Sequence, residues 1–191
     1  MIRYPNKKQP YRVKTQSTAN RGQGLEIMID ESNEYYRAHA IAVIHKKPTP
    51  VQIVRVDYPR RQAAKIIEAY YKTPSTTDYN GIYSGRYLDF DAKETRSKTS
   101  FPLKNIHTHQ WQHLEAIEAQ GGLAFIILGW TLHDVYYLVP FTVLKRFYDE
   151  SLKDGRQSIP YDVMESEAYR IKEKRSPRLD YLEALRTWLK I

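Results

Sequence analysis

Residues 76–93 leave a folding chain little choice. Two extended segments, Thr76–Tyr83 and Arg86–Lys93, flank the dipeptide Ser84-Gly85, and a two-residue loop between strands closes an antiparallel hairpin whose register the loop itself fixes. Tyr83 then pairs with Arg86, and paired residue numbers sum to 169 from there backward. Side chains alternate faces along a strand. Leu88, Phe90 and Ala92 therefore point one way, into a core, and Asp89, Asp91 and Lys93 the other. Carried along the hairpin, the register sets Asp78 opposite Asp91 and Thr76 opposite Lys93. Directly opposed residues have Cβ atoms about 5 Å apart, where like charges repel. Two carboxylates so placed call for a cation between them or a raised pKa. Magnesium, a hard ion that takes carboxylate oxygens and keeps several waters, fits such a site. Lys93 on the same face is placed to offset charge on a phosphate or to orient an attacking water. The plain alternative is a surface hairpin whose polar face is simply solvated.

Around this hairpin the patterning alternates between helix and strand. Leu25–Arg37 reads as an amphipathic helix. Ile41–Ile44 and Val51–Val56 have strand character, with Lys46-Lys47-Pro48-Thr49-Pro50 between them as a hairpin turn. Arg61–Tyr71 has Ala64, Ile67 and Tyr71 at helical spacing, opens on the basic patch Arg60, Arg61 and Lys65, and ends at Thr73-Pro74-Ser75. Asn105 is placed to cap a helix from Ile106 to about Ala119, closed by Gly121-Gly122. Leu123–Leu128 and Val135–Val139 read as buried strands, Phe141–Glu150 and Tyr181–Lys190 as helices, and 155–178 as mixed and polar. The expected class is α/β, with a single mixed central β-sheet flanked by helices.

Two features of the 105–119 helix bear on chemistry. Gln110 lies four residues before Leu114 and seven before Ile117, hence on the inward face. A buried Gln needs a polar partner, which either a metal site or the backbone could supply. His109 and His113, spaced i and i+4 with His107 nearby, raise a zinc reading. No third ligand sits at a telling spacing, which favours histidines that face DNA or the core.

Composition excludes several classes. The chain has 191 residues and no Cys, so it carries no disulfide framework and no thiolate metal site. Its longest apolar run, Leu123–Leu128, is far short of the roughly 20 residues of a membrane span. The polar, basic start from Met1 to Gln23 lacks the apolar stretch of a secretory signal, so a cytosolic protein is expected. Arg3, Lys7, Lys8, Arg12, Lys14 and Arg21 supply six of the eight net charges, with no acid before Glu26. We read residues 1–23 as a flexible basic arm and 24–191 as the folded domain. Such an arm contacts phosphate through counterion release, or serves only solubility.

The pattern Asp78, then Asp91-x-Lys93 on the paired strand, resembles the PD-(D/E)xK nuclease core. Longer stretches narrow the likeness. Ile41–Val54, Thr76–Tyr83, Ala92–Thr95 with Lys98–Leu103, and Pro177–Leu182 resemble the RecU family of Holliday junction resolvases, in that family's order, from about Leu25 to the C-terminus. The resemblance implies a restriction-endonuclease-like nuclease core with a protruding stalk. It also implies a bacterial, nucleoid-associated homodimer that nicks four-way junction DNA symmetrically with Mg²⁺ in recombination and repair. The metal ligands it implies fall on Thr76, Asp78, Asp91 and Gln110, with catalysis shared by Asp78, Asp91 and the transition-state lysine Lys93. Arg61, Tyr71 and Lys72 become DNA-binding residues, Tyr71 and Lys72 in a stalk segment 70–75. Arg61 matches a position tied to the strand-exchange recombinase, a candidate partner along with a branch-migration motor. Glu26 matches an additional acid. The family usually has Glu where this chain has Asp91, which keeps open a junction-binding protein with weak or no cleavage. A nuclease of linear or flap DNA, and a basic protein bound to nucleic acid only by charge, are the other readings.

Overall fold

The computed structural model describes residues 23–72 and 76–191. Most of the basic arm, residues 1–22, and the end of the stalk segment, residues 73–75, lie outside them. The described chain is a three-layer α/β/α domain built on one mixed sheet. In chain order it runs α1 (Gln23–Ala38), β1 (Val43–Lys46), β2 (Val51–Asp57), β3 (Lys65–Tyr71), β4 (Tyr79–Tyr83), β5 (Arg86–Thr95), β6 (Ser100–Pro102), α2 (Thr108–Ala119), β7 (Leu123–Trp130), β8 (Val135–Pro140), α3 (Phe141–Ser151), β9 (Ser158–Pro160), α4 (Tyr161–Glu167), β10 (Tyr169–Ile171) and α5 (Tyr181–Leu189). The main sheet has the order β1-β4-β5-β7-β8-β10. Only β5 and β7 pair in parallel, and the α2 crossover between them covers one face, as a parallel connection requires.

The hairpin forms in the expected register. Tyr83 pairs with Arg86, and the ladder runs to Tyr79 opposite Phe90. Ser84 and Gly85 both have positive φ, 48° and 73°, the conformation of a two-residue turn that matches strand twist. What differs is the environment. β5 is a central strand, not a solvent-facing one. Leu88 and Phe90 enter a core with Leu25, Ile29, Tyr36, Tyr181 and Leu185. The other face of the sheet packs Ala124, Ile126 and Leu128 against Trp111, Leu114 and Leu144. Asp89 and Asp91, on that second face under α2, are both fully buried. A merely solvated acidic face is therefore ruled out.

Three expectations are corrected. Lys46–Pro50 is not a hairpin turn: β1 pairs with β4 in the main sheet, while β2 pairs with β3 in a separate two-stranded ribbon. Pro48 and Pro50 cannot donate to a ladder, and the chain changes sheet there, with Lys47 N–H on the Asp78 carbonyl at 2.7 Å and Lys72 N–H on the Pro50 carbonyl at 3.0 Å. Arg61–Tyr71 is not a helix. A 3-10 turn over Arg61–Ala63 ends the ribbon, and β3 follows. The run Ile66, Ile67, Tyr70, Tyr71 favours a strand once β2 offers a partner, and that outweighs a helical spacing built on three residues. The helix at 106–119 starts at Thr108 with His107, not Asn105, as its cap; the Gln110 side-chain oxygen accepts the His107 backbone N–H, the Gln half of a capping box.

Gly81 shows how tightly β1 lies on β4. A Cβ there would fall 2.1 Å from the Val43 carbonyl oxygen and 2.6 Å from the Ile44 Cα. Only a glycine permits that approach, which carries Lys46 and Lys47 to the end of β4 where Asp78 stands.

Candidate active site

Three pieces of chain meet at Asp91. β5 supplies Asp91 and, two residues on and therefore on the same face, Lys93, whose Nζ lies 3.1 Å from Asp91 Oδ1. α2 supplies Gln110, buried as its spacing predicts. Its amide donates to Asp91 Oδ2, and its Oε1 accepts the His107 backbone N–H at 3.1 Å. The capping box that starts the helix thus also aims the amide. The bend before β4 supplies Thr76, Thr77 and Asp78. Asp78 sits one residue past the last pair of the β4–β5 ladder, near enough for its charge to act on Asp91.

Burial pushes the Asp91 carboxyl up from 3.8 to about 6; the Lys93 ammonium opposes this and the Asp78 carboxylate adds to it. Asp91 Oδ1 is buried and, despite the nearby ammonium, has no hydrogen bond among the described residues. That oxygen already faces the Lys93 ammonium at 3.1 Å, and the Asp78 carboxylate close by adds a second negative charge, so a further cation would be stabilising there. The oxygens at hand are the Asp91 and Asp78 carboxylates and the Thr76 hydroxyl, the Gln110 Oε1 being taken by the His107 N–H; such oxygens suit a hard divalent ion that keeps part of its water shell. No group of three His, Cys, Asp or Glu that could hold a metal occurs among the described residues, so His109 and His113 lack the company a zinc site needs. His109 instead stacks on His107, ring centroids 5.7 Å apart. Burial lowers its pKa, helped by the charges of His107 and Lys93 and opposed by Asp78, which places it at the rim of the same site.

Beside Asp91 lies a second set of contacts that sequence reasoning missed. Asp89 Oδ2 accepts hydrogen bonds from Lys47 Nζ and Tyr87 OH, each at 2.9 Å, and His113 Nε2 is 3.1 Å from the same oxygen. Asp89 Oδ1 accepts from the Thr77 hydroxyl, and Lys47 Nζ reaches Thr77 Oγ1 as well, at 3.1 Å. The available signal was Asp89's shared face with Asp91; what could not be read was that α2 covers both.

Glu26 does not join Asp91. It pairs with Lys46 at 2.7 Å on the wall of a cleft of about 290 Å³ that Thr76, Thr77 and Asp78 also line. Thr76 is half-buried there, its hydroxyl donating to the Thr77 carbonyl at 3.2 Å.

The sequence profile of Recombination protein U matches residues 20–187. The chain belongs to the Recombination protein U family. Relatives named Holliday junction resolvase RecU are 49% identical over 183 residues in Oenococcus oeni, covering 96% of this chain and 91% of that one. In Bacillus cereus the identity is 47% over 194 residues, with 97% of each chain covered; in Limosilactobacillus reuteri it is 50% over 196 residues, with 96% and 95% covered. A solved structure of a Holliday junction resolvase from Archaeoglobus fulgidus aligns at TM-score 0.38 with 11% identity over 73% of this chain and 86% of its own. A likeness that slight adds nothing to the sheet order already described.

In this Recombination protein U chain the implied stalk segment, 70–75, begins at the root of the β2–β3 ribbon and ends outside the described residues, and Arg61 lies at the ribbon's other end. Arg61 opens the turn at the tip. Tyr71, 85% exposed, pairs with Val51 at the root, with Lys72 next to it. Seven strand residues at about 3.3 Å each separate the two ends by roughly 20 Å.

Proposed function

We propose that the chain is an endonuclease that resolves Holliday junctions by symmetric, magnesium-dependent nicking in recombination and DNA repair. The observation that carries this reading is the Asp91 carboxylate. It is buried, holds one unbonded oxygen, and is set beside Asp78, Lys93 and Gln110, in a family whose members in three other bacteria bear that activity in their names.

Asp78 and Asp91 would hold the ion, with Gln110 and Thr76 completing the donor set. A bound magnesium supplies an acidified water and positive charge against the scissile phosphate. The protein's own part is positional. Gln110 fixes the Asp91 carboxylate from the helix side, and the other oxygen faces Lys93 at 3.1 Å. Lys93, its side chain only 15% exposed, holds an ammonium where negative charge grows on the phosphate and where little water competes for it. Closure of α2 over β5 keeps bulk solvent from the carboxylates, which strengthens each of these interactions.

Recognition falls to other parts. The basic arm supplies phosphate contacts without sequence preference; Tyr71 and Lys72 at the ribbon root supply stacking and charge. The ribbon exposes Val51, Ile53, Val54, Ile66 and Ile67 on two strands that have no core of their own. An isolated two-stranded ribbon is marginal in water, so a partner surface is expected to cover part of it. A homodimer meets that need and matches a substrate with two-fold symmetry. Arg61 at the tip is the contact offered to a strand-exchange recombinase, with a branch-migration motor acting on the same substrate. No described helix is long and apolar enough to cross a membrane, and the substrate places the work at the bacterial nucleoid.

The test is cleavage of a synthetic four-way junction, against linear duplex and flap DNA of the same sequence, with and without Mg²⁺. Paired nicks at symmetric positions on the junction alone are expected. Equal turnover of all three DNAs would replace the proposal with a general nuclease. Tight junction binding without nicks would favour the binding-only reading, which the short Asp91 side chain motivates.

A further inference from the structure

We propose that Asp89 is the positioning residue of this site, and that its network with Lys47, Thr77, Tyr87 and His113 sets the segments bearing Asp78 and Gln110 in register with Asp91. The inference rests on the endonuclease reading above and assigns work to residues that reading leaves idle.

The two acids of β5 look alike in sequence and differ in bonding. Asp91 keeps an oxygen with no hydrogen bond; Asp89 keeps none. Its Oδ1 takes the Thr77 hydroxyl, and its Oδ2 takes Lys47 and Tyr87, with His113 3.1 Å away. It is fully buried, as Asp91 is, and what sets it apart is that both of its oxygens already accept hydrogen bonds. A fully buried acid is nonetheless expensive, and apolar side chains of similar size commonly stabilise a core as well or better. The return here is geometric.

Each donor arrives on a different piece of chain. Lys47 follows β1 and leads into the ribbon root. Thr77 lies between Thr76 and Asp78. His113 lies one turn beyond Gln110 on α2. One helical turn and one two-residue step along a strand are similar lengths, about 5 and 6.6 Å. α2 is tied to β5 by the Gln110–Asp91 hydrogen bond, with His113 Nε2 3.1 Å from Asp89 Oδ2 but making no hydrogen bond there. Thr77 pins the Asp78 segment to the same carboxylate. The backbone bond from Lys47 N–H to the Asp78 carbonyl at 2.7 Å closes the triangle. Loss of Asp89 would free the segment that carries Asp78, which Thr77 and Lys47 tie to it, and would remove the neighbour of His113 on α2, without touching any group in contact with substrate. Partners that orient ligands in this way are worth about 10–100-fold in metal affinity or activity.

The experiment uses the full chain with Asp89→Asn, Thr77→Val and Thr77→Ser, and Asp78→Asn as control. Valine keeps the shape of threonine and drops the hydroxyl; serine keeps the hydroxyl. Three readouts are taken: single-turnover junction cleavage, Mn²⁺ affinity of the protein–junction complex by electron paramagnetic resonance, and junction Kd in Ca²⁺. Expected are losses of about 10–100-fold in both cleavage rate and Mn²⁺ affinity for Asp89→Asn and Thr77→Val. Thr77→Ser stays near the parent, and all retain the parent junction Kd. Cleavage and Mn²⁺ affinity within twofold of the parent for Thr77→Val would overturn the proposal, as would equal losses for Thr77→Ser and Thr77→Val. Should Asp89→Asn fail to fold, the two Thr77 variants decide alone. If Asp78→Asn also cuts like the parent, it is the endonuclease site that is wrong; if Asp78→Asn is dead and Thr77→Val is not, only the positioning role is.

Discussion

Replacing Asp91 by Asn is expected to make the metal-free protein more stable at pH 8 while abolishing cleavage. The carboxyl is pushed from 3.8 to about 6, chiefly by burial, with Asp78 adding and Lys93 opposing. A tenfold change in proton affinity corresponds to about 1.4 kcal/mol, so holding Asp91 ionised in the folded state costs roughly 2–3 kcal/mol. The direction with pH follows from which state releases its proton first. The unfolded chain loses the Asp91 proton near pH 4, the folded chain near pH 6. Between those values the unfolded state binds fewer protons, and stability falls as pH rises. The contribution is fully present below about pH 4 and gone above about pH 6. Asparagine carries no charge at any of these pH values and still accepts from Gln110. Its advantage should therefore be near zero at pH 4 and reach about 2–3 kcal/mol at pH 8, a rise in melting temperature of roughly 4–12 °C for a domain of this size. Calorimetry in EDTA at the two pH values measures it. Saturating Mg²⁺ narrows the gap, because an ion held by Asp91 stabilises only the parent. A variant less stable than the parent at pH 8, or equally more stable at both pH values, would refute the account of Asp91 as a buried, strained carboxylate.

Other perturbations probe separate parts of the site. Asp78→Ala and Lys93→Ala are each expected to lower junction cleavage by about 10²–10³-fold with junction binding kept, read by gel assays with and without Mg²⁺; parent-like cutting by either removes that residue from the site. Gln110→Ala leaves Asp91 Oδ2 and the His107 N–H without their partner, so about 1–3 kcal/mol of stability is lost together with about 10–100-fold in Mn²⁺ affinity, measured by denaturation and by metal titration. Gly81→Ala puts a methyl group against the Val43 carbonyl and the Ile44 Cα. Backbone must move, and a loss of about 1–3 kcal/mol is expected, with urea denaturation as the check. A neutral result there would mean β1 does not hold its place on β4.

Local rules read the hairpin well because a two-residue turn and a two-residue period leave one register. Counting along the same two strands brings Asp78 toward Asp91, though the ladder itself ends one pair earlier, at Tyr79 and Phe90. Local rules failed at the ribbon. Val51–Asp57 and Lys65–Tyr71 are strands whose side chains are almost all exposed, so the alternation that marks a half-buried strand is missing. Without it, three residues at helical spacing outweighed β-branched and aromatic character. The Lys46–Pro50 turn failed for a related reason. Adjacent strands in sequence usually pair, and nothing local shows that β1 and β2 belong to different sheets, because each strand's partner comes later in the chain.

The case of Asp89 is harder, since it differs from Asp91 in no local property. Both are carboxylates on one face of one strand, two residues apart. Their separation is made by chain that arrives from elsewhere: Lys47 and Thr77 bond Asp89 from the β1 end and the bend before β4, while Gln110 on α2 bonds one oxygen of Asp91. The parallel pairing of β5 with β7 forces a crossover, the crossover lays α2 on the acidic face, and the capping box at His107 sets its phase so that Gln110 meets one carboxylate and His113 the other. Each of those steps is long-range, and each must hold before the two acids part. Sequence can mark a face as polar by counting; which polar group is left unbonded depends on what lands on it. The carboxylate oxygen left without a hydrogen bond is Asp91 Oδ1, 3.1 Å from the Lys93 ammonium, and its difference from the bonded oxygens of Asp89 is the observation on which both the proposed metal site and the proposed positioning role rest.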